Sequence, residues 1–326
     1  MKKILIPAMV VLAGLIIIEC DTVTEPTGEI QEEISAIIQA EDSLFSMDGL
    51  NDATGDSLSL FGGPGQRHPG FGGPIFPRFV RRTIESTHRS IDVEILTGDS
   101  AIVTVTHQIV GKIFIGIDSD TTDSVRVDTV WEKPFDFTST HKAQMVNRPY
   151  PEDTRMRMGS RHNGWRVAGM TPIVTTTAGS DLLVEYLRIR NVTSGESETI
   201  EDPLNDFLTL RTAPLFDVGD SVVVEISVEN GDNSGTTILS QFRMPRMAGK
   251  QVNRLLDDGI APDETADDGV FTDGWKFDRR HGMQHVTVDV LDNDLLTVEE
   301  TPYNAVFWRV PFMVLRRGHG GMGGGM

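Results

Sequence analysis

Cysteine is nearly missing: the chain holds one, Cys20, among 326 residues. A lone thiol closes no disulfide within the chain, so the fold must be held by its core. Tyrosine is scarce too, with only Tyr150, Tyr186 and Tyr303. Positive charge is in short supply, 29 Lys and Arg against 48 Asp and Glu, for a formal net charge of -19. That balance repels phosphate backbones and anionic headgroups, which excludes charge-driven nucleic-acid binding and leaves solubility and a capacity for cations. The one long apolar run, Ile4 to Ile18, falls short of the ~20 residues that span a bilayer comfortably. Beyond Val174 no segment carries a helical period.

What is present begins with an address. "MKK", the apolar run and then Glu19-Cys20-Asp21 follow signal-peptide grammar, so the folded part is expected outside the cytoplasm. Cys20, at the end of that run, resembles the lipidated cysteine of bacterial lipoproteins, although Glu19 stands where that pattern has a small residue. The resemblance implies a lipid anchor at Cys20 and a place in the cell envelope of a bacterium; the alternative is an uncleaved anchor or an ordinary signal with an incidental cysteine. Residues 1–20 are therefore read as signal and 21–28 as a polar tether.

A 39% hydrophobic content can supply cores for two ordinary domains. In "EIQEEISAIIQAEDSLF", Ile30, Ile34, Ile37, Ile38 and Phe45 recur at helical spacing, which predicts an amphipathic helix with an acidic first turn. From Asp48 to Pro77 the Gly and Pro content predicts a loop. At Ser90 the period becomes two: "SIDVEIL", the turn "TGDS" and "AIVTVTHQIVGKIFI" predict a hairpin. A third strand over Val125 to Trp131, a fourth in "FDFTSTHKAQMV" and a fifth in "GWRVAGMTP" complete the set. One helix followed by an antiparallel meander ending in "GWRV" resembles the nuclear-transport-factor-like cone, an α+β fold, over residues 29–173. In that family helix and sheet can enclose a pocket, which makes His107 and His141, with Asp136 near them in sequence, the candidates for proton transfer or ligand contact. The bland reading is that strand histidines are hydrogen-bonded or surface residues. All three tyrosines fall outside the expected pocket strands, against a tyrosine-assisted isomerase.

The stretch "TTTAGS" reads as a linker, and residues 174–316 as a second domain. "DLLVEYLRIR", "FLTL", "DSVVVEISVE", "TTILSQF", "HVTVDVL" and "NAVFWRVPFMVL" are strand candidates separated by turns such as "ENGDNSG". Such spacing predicts an immunoglobulin-like β-sandwich without the cysteine pair. Residues 317–326 are low-complexity and expected to be disordered.

Three constellations bear on chemistry. "GDSL" at Gly55 to Leu58 and "DRRH" at Asp278 to His281 mimic the letters of a serine esterase family. No apolar strand precedes the serine and no helices follow, so the context is wrong. His281, Met283 and His285 share a period of two and would suit copper, without a thiolate to support it. The third is "LLDDGIAPDETADDGVFTDGW", Leu255 to Trp275. It resembles an acidic loop of Ig-like modules in bacterial surface proteins. Its Asp-Gly pairs can be plain tight turns. Its charge density also suits a hard divalent cation, with Asp257, Asp263, Asp267 and Asp268 as calcium ligands. A glycine should follow Asp267 in an EF-hand; Asp268 stands there, so the loop is not one.

The sequence thus predicts a mainly β protein, an α+β cone-like antiparallel domain followed by an Ig-like sandwich. Its expected role is binding or scaffolding without catalysis, with an envelope protein or surface polymer as partner, the membrane reached through a lipid anchor, and no nucleic acid. The alternative is a small-ligand binder or enzyme using a cone pocket.

Overall fold

The computed structural model describes residues 28–40, 58–59, 76–118, 127–148, 164–209, 212–230, 235–242, 251–277 and 282–315. Cys20, Ser57, Tyr150, Asp278, His281 and the expected tail lie outside them. The fold is mainly β and almost wholly antiparallel.

Helix α1 (Gly28–Ala40) forms where the isoleucines predicted it and buries Ile34, Ile37 and Ile38. After a short β1 (Leu58–Ser59) come three long strands, β2 (Phe76–Thr97), β3 (Ser100–Asp118) and β4 (Thr129–Asn147). Strand β2 starts far before Ser90, inside the expected loop. Its register against β3 shifts between Ile84 and Ser86, a bulge that breaks the alternation the eye follows. The expected third and fourth strands are one strand, β4. The strand runs on through Pro134, which lies beyond the last pair with the next strand, Phe137↔Thr177, where its missing N–H leaves no ladder bond unmade.

The rest of the chain supplies β5 (Trp165–Met170), β6 (Ile173–Thr177), β7 (Leu182–Asn191), β8 (Ser197–Ile200), β9 (Leu208–Thr209), β10 (Leu215–Asp217), β11 (Ser221–Asn230), β12 (Thr236–Phe242), β13 (Gln251–Leu255), β14 (Val270–Lys276), β15 (Gly282–Asp292), the five-residue α2 (Asn293–Thr297) and β16 (Ala305–Leu315). Sheet order runs β1-β2-β3-β4-β6-β16-β15-β12-β13, with β5, β9 and β10 attached to its sides; a second sheet runs β14-β11-β7-β8.

Strand β6 sits where a linker was expected. It pairs with β4 through Phe137↔Thr177 to Thr140↔Val174, and with β16 through Val306↔Thr176 to Arg309↔Ile173. The large sheet therefore runs without a break from the first half of the chain into the last strand. Thr175 and Thr177 are buried, at 2% and 5% exposure. Their hydroxyls donate to Ser139 Oγ at 2.8 Å and Ala305 O at 3.3 Å, so polar side chains that read as linker are satisfied inside the sheet.

Three apolar clusters hold the layers. Ile34, Ile37 and Ile38 of α1 pack on Val103, Val105, Met145 and Trp165. Ile113, Ile115, Phe135 and Phe137 meet Leu295, Leu296, Tyr303 and Phe307, which joins the two halves of the chain. The third cluster fills the space between the two sheets with Leu187, Ile189, Val224 and Ile226 on one side and Val286, Val288, Trp308 and Val310 on the other.

Two buried charges also cross the halves. Arg82 lies 3.0 Å from Asp289, with both side chains at 0% exposure, donates to Tyr303 Oη at 3.0 Å and stacks 4.5 Å above the Phe307 ring. Lys133 donates to the carbonyls of Leu295, Val298 and Thr301 at 2.8, 2.6 and 3.0 Å, closing the C-terminal end of α2. Burial pushes the pKa of its ammonium down to about 8, against the pull of Glu299, Glu300 and Asp292.

Candidate functional site

The acidic loop hangs between β13 and β14, pinned at its base by a Leu256↔Thr272 bridge with backbone bonds of 3.0 and 2.9 Å. Its aspartates first organise backbone. Asp257 accepts from Asp268 N at 3.2 Å and Gly269 N at 2.8 Å; Asp263 from Gly259 N at 2.6 Å and Thr265 N at 3.4 Å; Asp258 from Ile260 N at 2.9 Å; and Asp268 from Val270 N at 2.9 Å. This is the Asx-turn chemistry the Asp-Gly pairs predicted. Gly259 and Gly269 take the positive φ values, 67° and 80°, that such turns ask of glycine.

The folded loop brings carboxylate oxygens of Asp257, Asp263 and Asp268 within 4.8 Å of one another, an arrangement that could hold a metal ion. Asp263 is buried, Asp257 half-buried and Asp268 exposed, so the group opens to one side. Asp267, the fourth expected ligand, is not part of this group. Its backbone turns through φ 58°, which ends the alternate spacing that had placed it with Asp263. A carboxylate oxygen that accepts one amide retains a second lone pair, so amide bonds and a cation can share these side chains.

His107 on β3 and His141 on β4 do face inward, with ring centroids 6.3 Å apart and the planes at 14°. They are packed rather than open, at 5% and 0% exposure. Burial lowers the His141 pKa to about 3, helped by His107, Arg89 and Arg309. Asp136 does not join them. It is exposed on the opposite face of β4, five residues from His141 in an unbroken alternation. Tyr303, expected away from the pocket strands, packs 5.3 Å from Phe137 and 5.7 Å from Phe135.

His285, from the expected copper group, meets Arg309 Nη2 with its Nδ1 at 3.3 Å, while its Nε2 is closed off from solvent. Its pKa is lowered to about 3 by burial first and Arg309 second. Two grooves of the described surface lie elsewhere. One of about 230 Å³ is lined by Val167, Met170, Leu208, Ala213, Phe312 and Met313. Another, of about 410 Å³, lies along Asn191, Glu196, Glu198 and Pro214.

No protein-family model matches the chain, and no curated protein matches it. Among solved structures, the SMP domain and paired C2 domains of extended synaptotagmin 2 align over 88% of this chain and 97% of that one, at 9% identity and a TM-score of 0.15, which is too low to show a shared fold.

Proposed function

We propose that this is an exported envelope protein, anchored through lipid on Cys20, that binds or scaffolds rather than catalyses, and whose acidic loop takes calcium. The observation that carries the reading is the Asp257, Asp263 and Asp268 group, three carboxylates gathered on one loop and already fixed in place by backbone amides. A hard cation with six to eight oxygen sites relieves the repulsion among such groups. The second sheet and the part of the large sheet it covers serve as an Ig-like module that positions the loop. The partner is an envelope protein or surface polymer. Catalysis in a cone pocket is the weaker reading, because His107 and His141 are buried against each other and Asp136 faces away.

Outside the cytoplasm the site need only be weak, with a dissociation constant of ~0.1 to 1 mM as in extracellular modules. At ~3 mM calcium, linkage then stabilises the fold by about 0.8 to 2 kcal/mol. Melting curves in calcium and in chelator test this on wild type and Asp268→Asn. The variant should be the less stable form in calcium and the more stable one in chelator, where it relieves repulsion. An identical ranking in both buffers returns the loop to plain turns. Cell fractionation of Cys20→Ser tests the anchor separately, and membrane retention equal to wild type refutes it.

A further inference from the structure

The loop between β13 and β14 repeats one short word, Asp257-Asp258-Gly259-Ile260 and Asp267-Asp268-Gly269-Val270. Each copy contains an Asp-Gly step, where glycine's lack of a side chain lets the chain close on itself. The glycine nitrogen attacks Cγ of the aspartic acid, its proton and the acid hydroxyl leave as water, and a five-membered succinimide forms. Water then opens the ring. Opening at the main-chain carbonyl leaves isoaspartate, with one methylene more in the backbone and the free carboxylate moved to Cα. One water is lost and one regained, so the step needs no co-reactant. The turns themselves demand these glycines, at φ 67° and 80°, so a bulkier residue cannot remove the hazard without strain. Asp258 and Asp268 are both exposed, within reach of the water that opens the ring.

At both steps the reacting groups are held in the same way. Each carboxylate is turned to the amide two residues on, Asp258 to Ile260 N and Asp268 to Val270 N, both at 2.9 Å. Each glycine nitrogen donates to a different aspartate, Gly259 N to Asp263 Oδ2 at 2.6 Å and Gly269 N to Asp257 Oδ2 at 2.8 Å. A donated N–H fixes its peptide plane, and ring closure must rotate that plane until the nitrogen faces Cγ. Closure therefore requires both bonds of a step to break. The holding aspartates are themselves followed by Asp258 and Glu264, not by glycine, so neither belongs to an Asp-Gly step of its own.

We infer that Asp258-Gly259 and Asp268-Gly269 are two isoaspartate-forming sites that the fold keeps inert, the first through Asp263 and the second through Asp257. The hold is crossed, since each step is restrained by an aspartate that lies outside it. Isomerisation at Asp268 would carry its carboxylate out of the group it forms with Asp257 and Asp263, so the restraint preserves that arrangement as the protein ages, with or without calcium. A hydrogen bond to a charged acceptor is worth ~1.5 to 3 kcal/mol, which corresponds to about 10- to 100-fold in the rate of a step that must break it.

The test ages the chain in chelator, folded and unfolded in urea. Isoaspartate is counted by methyl transfer from S-adenosylmethionine with an isoaspartyl methyltransferase, and its position is read by electron-transfer fragmentation. Folded wild type should form it at both steps at least about 10-fold more slowly than the unfolded chain. Asp263→Ala should speed the Asp258 step by about 10-fold or more and leave the Asp268 step as in wild type, and Asp257→Ala should do the reverse. Equal rates in folded and unfolded wild type overturn the inference. So does a folded variant that speeds both steps, neither, or the wrong one, because general loosening of the loop would show no such crossing. Should a variant fail to fold, hydrogen exchange on wild type decides: protected Gly259 and Gly269 amides support the hold, and exchange at the intrinsic rate overturns it.

Discussion

The Arg82–Asp289 pair offers the sharpest test of how the two halves hold together, because it joins residues 207 positions apart. Both side chains are wholly excluded from water. Asp289→Asn leaves the Arg82 guanidinium buried beside a neutral amide, and Arg82→Met leaves the Asp289 carboxylate without its cation. Stranding one member of a buried pair costs about 3 to 5 kcal/mol. Replacing both, Arg82→Met with Asp289→Leu, removes the desolvation penalty together with the attraction, and comparable swaps are neutral to stabilising. Here the double variant also removes the donor to Tyr303 Oη and the guanidinium over Phe307, a further loss of about 1 to 2 kcal/mol. The double variant should therefore unfold at a higher urea concentration than either single one. Equilibrium urea unfolding, followed by fluorescence and far-UV circular dichroism, gives the three differences and the coupling between them. Single variants within ~1 kcal/mol of wild type, or a double cost equal to the sum of the singles, would refute the reasoning.

Fragments 28–173 and 174–315 should each be insoluble or molten alone and regain cooperative unfolding when mixed, because β6 is bonded on both edges and Phe137 packs on Phe307 at 5.1 Å; cooperative unfolding of either fragment by itself would separate the halves. Lys133→Met strands three carbonyls at the end of α2 and should cost about 2 to 4 kcal/mol in thermal unfolding. Wild type should also gain stability from about pH 8 towards 10.5, since the native ammonium gives up its proton before the unfolded one does, and the variant should lose that rise. Gly111→Ala places a Cβ 2.6 Å from Phe135 Cζ and against Thr83 O; with backbone on one side it cannot be relieved by a rotamer change, so the melting temperature should fall by an amount equivalent to about 1 to 3 kcal/mol.

What could be read from the chain, and what could not, follows from the range of the interactions involved. Helix α1 was legible because Ile34, Ile37 and Ile38 repeat within two turns. Strand β3 was legible because its alternation runs through most of its length, and β7 and β11 were legible from their Val, Ile and Leu content despite a register shift between Ser227 and Val228. The start of β2 was hidden by the bulge at Ile84, and α2 is too short to show a period. The position of Asp136 was in fact readable, since five residues along a continuous strand separate opposite faces. Nearness in sequence suggested the pairing, although "FDFTSTHKAQMV" holds both residues in one strand and their odd separation sets them on opposite faces. Thr175 and Thr177 misled for a different reason: their hydroxyls find partners only in Ser139 and Ala305, which no local pattern announces.

The same division runs through the candidate sites. Charge density within one loop pointed to Asp257, Asp263 and Asp268, while the backbone turn at Asp267 that excludes it becomes visible only in the fold. Lys133 stands between Trp131 and Phe135 on the buried phase of an alternating strand, which is a sequence signal of an inward lysine. Arg82 with Asp289 gave no such signal, because the two are 207 positions apart. Arg82 and Lys133, on β2 and β4, are supported by Asp289, Tyr303 and the carbonyls of Leu295, Val298 and Thr301 from the other half of the chain, so removing the second half strands both charges. Together with the apolar cluster of Phe135, Phe137, Tyr303 and Phe307, these two buried charges tie the first half of the chain to the second.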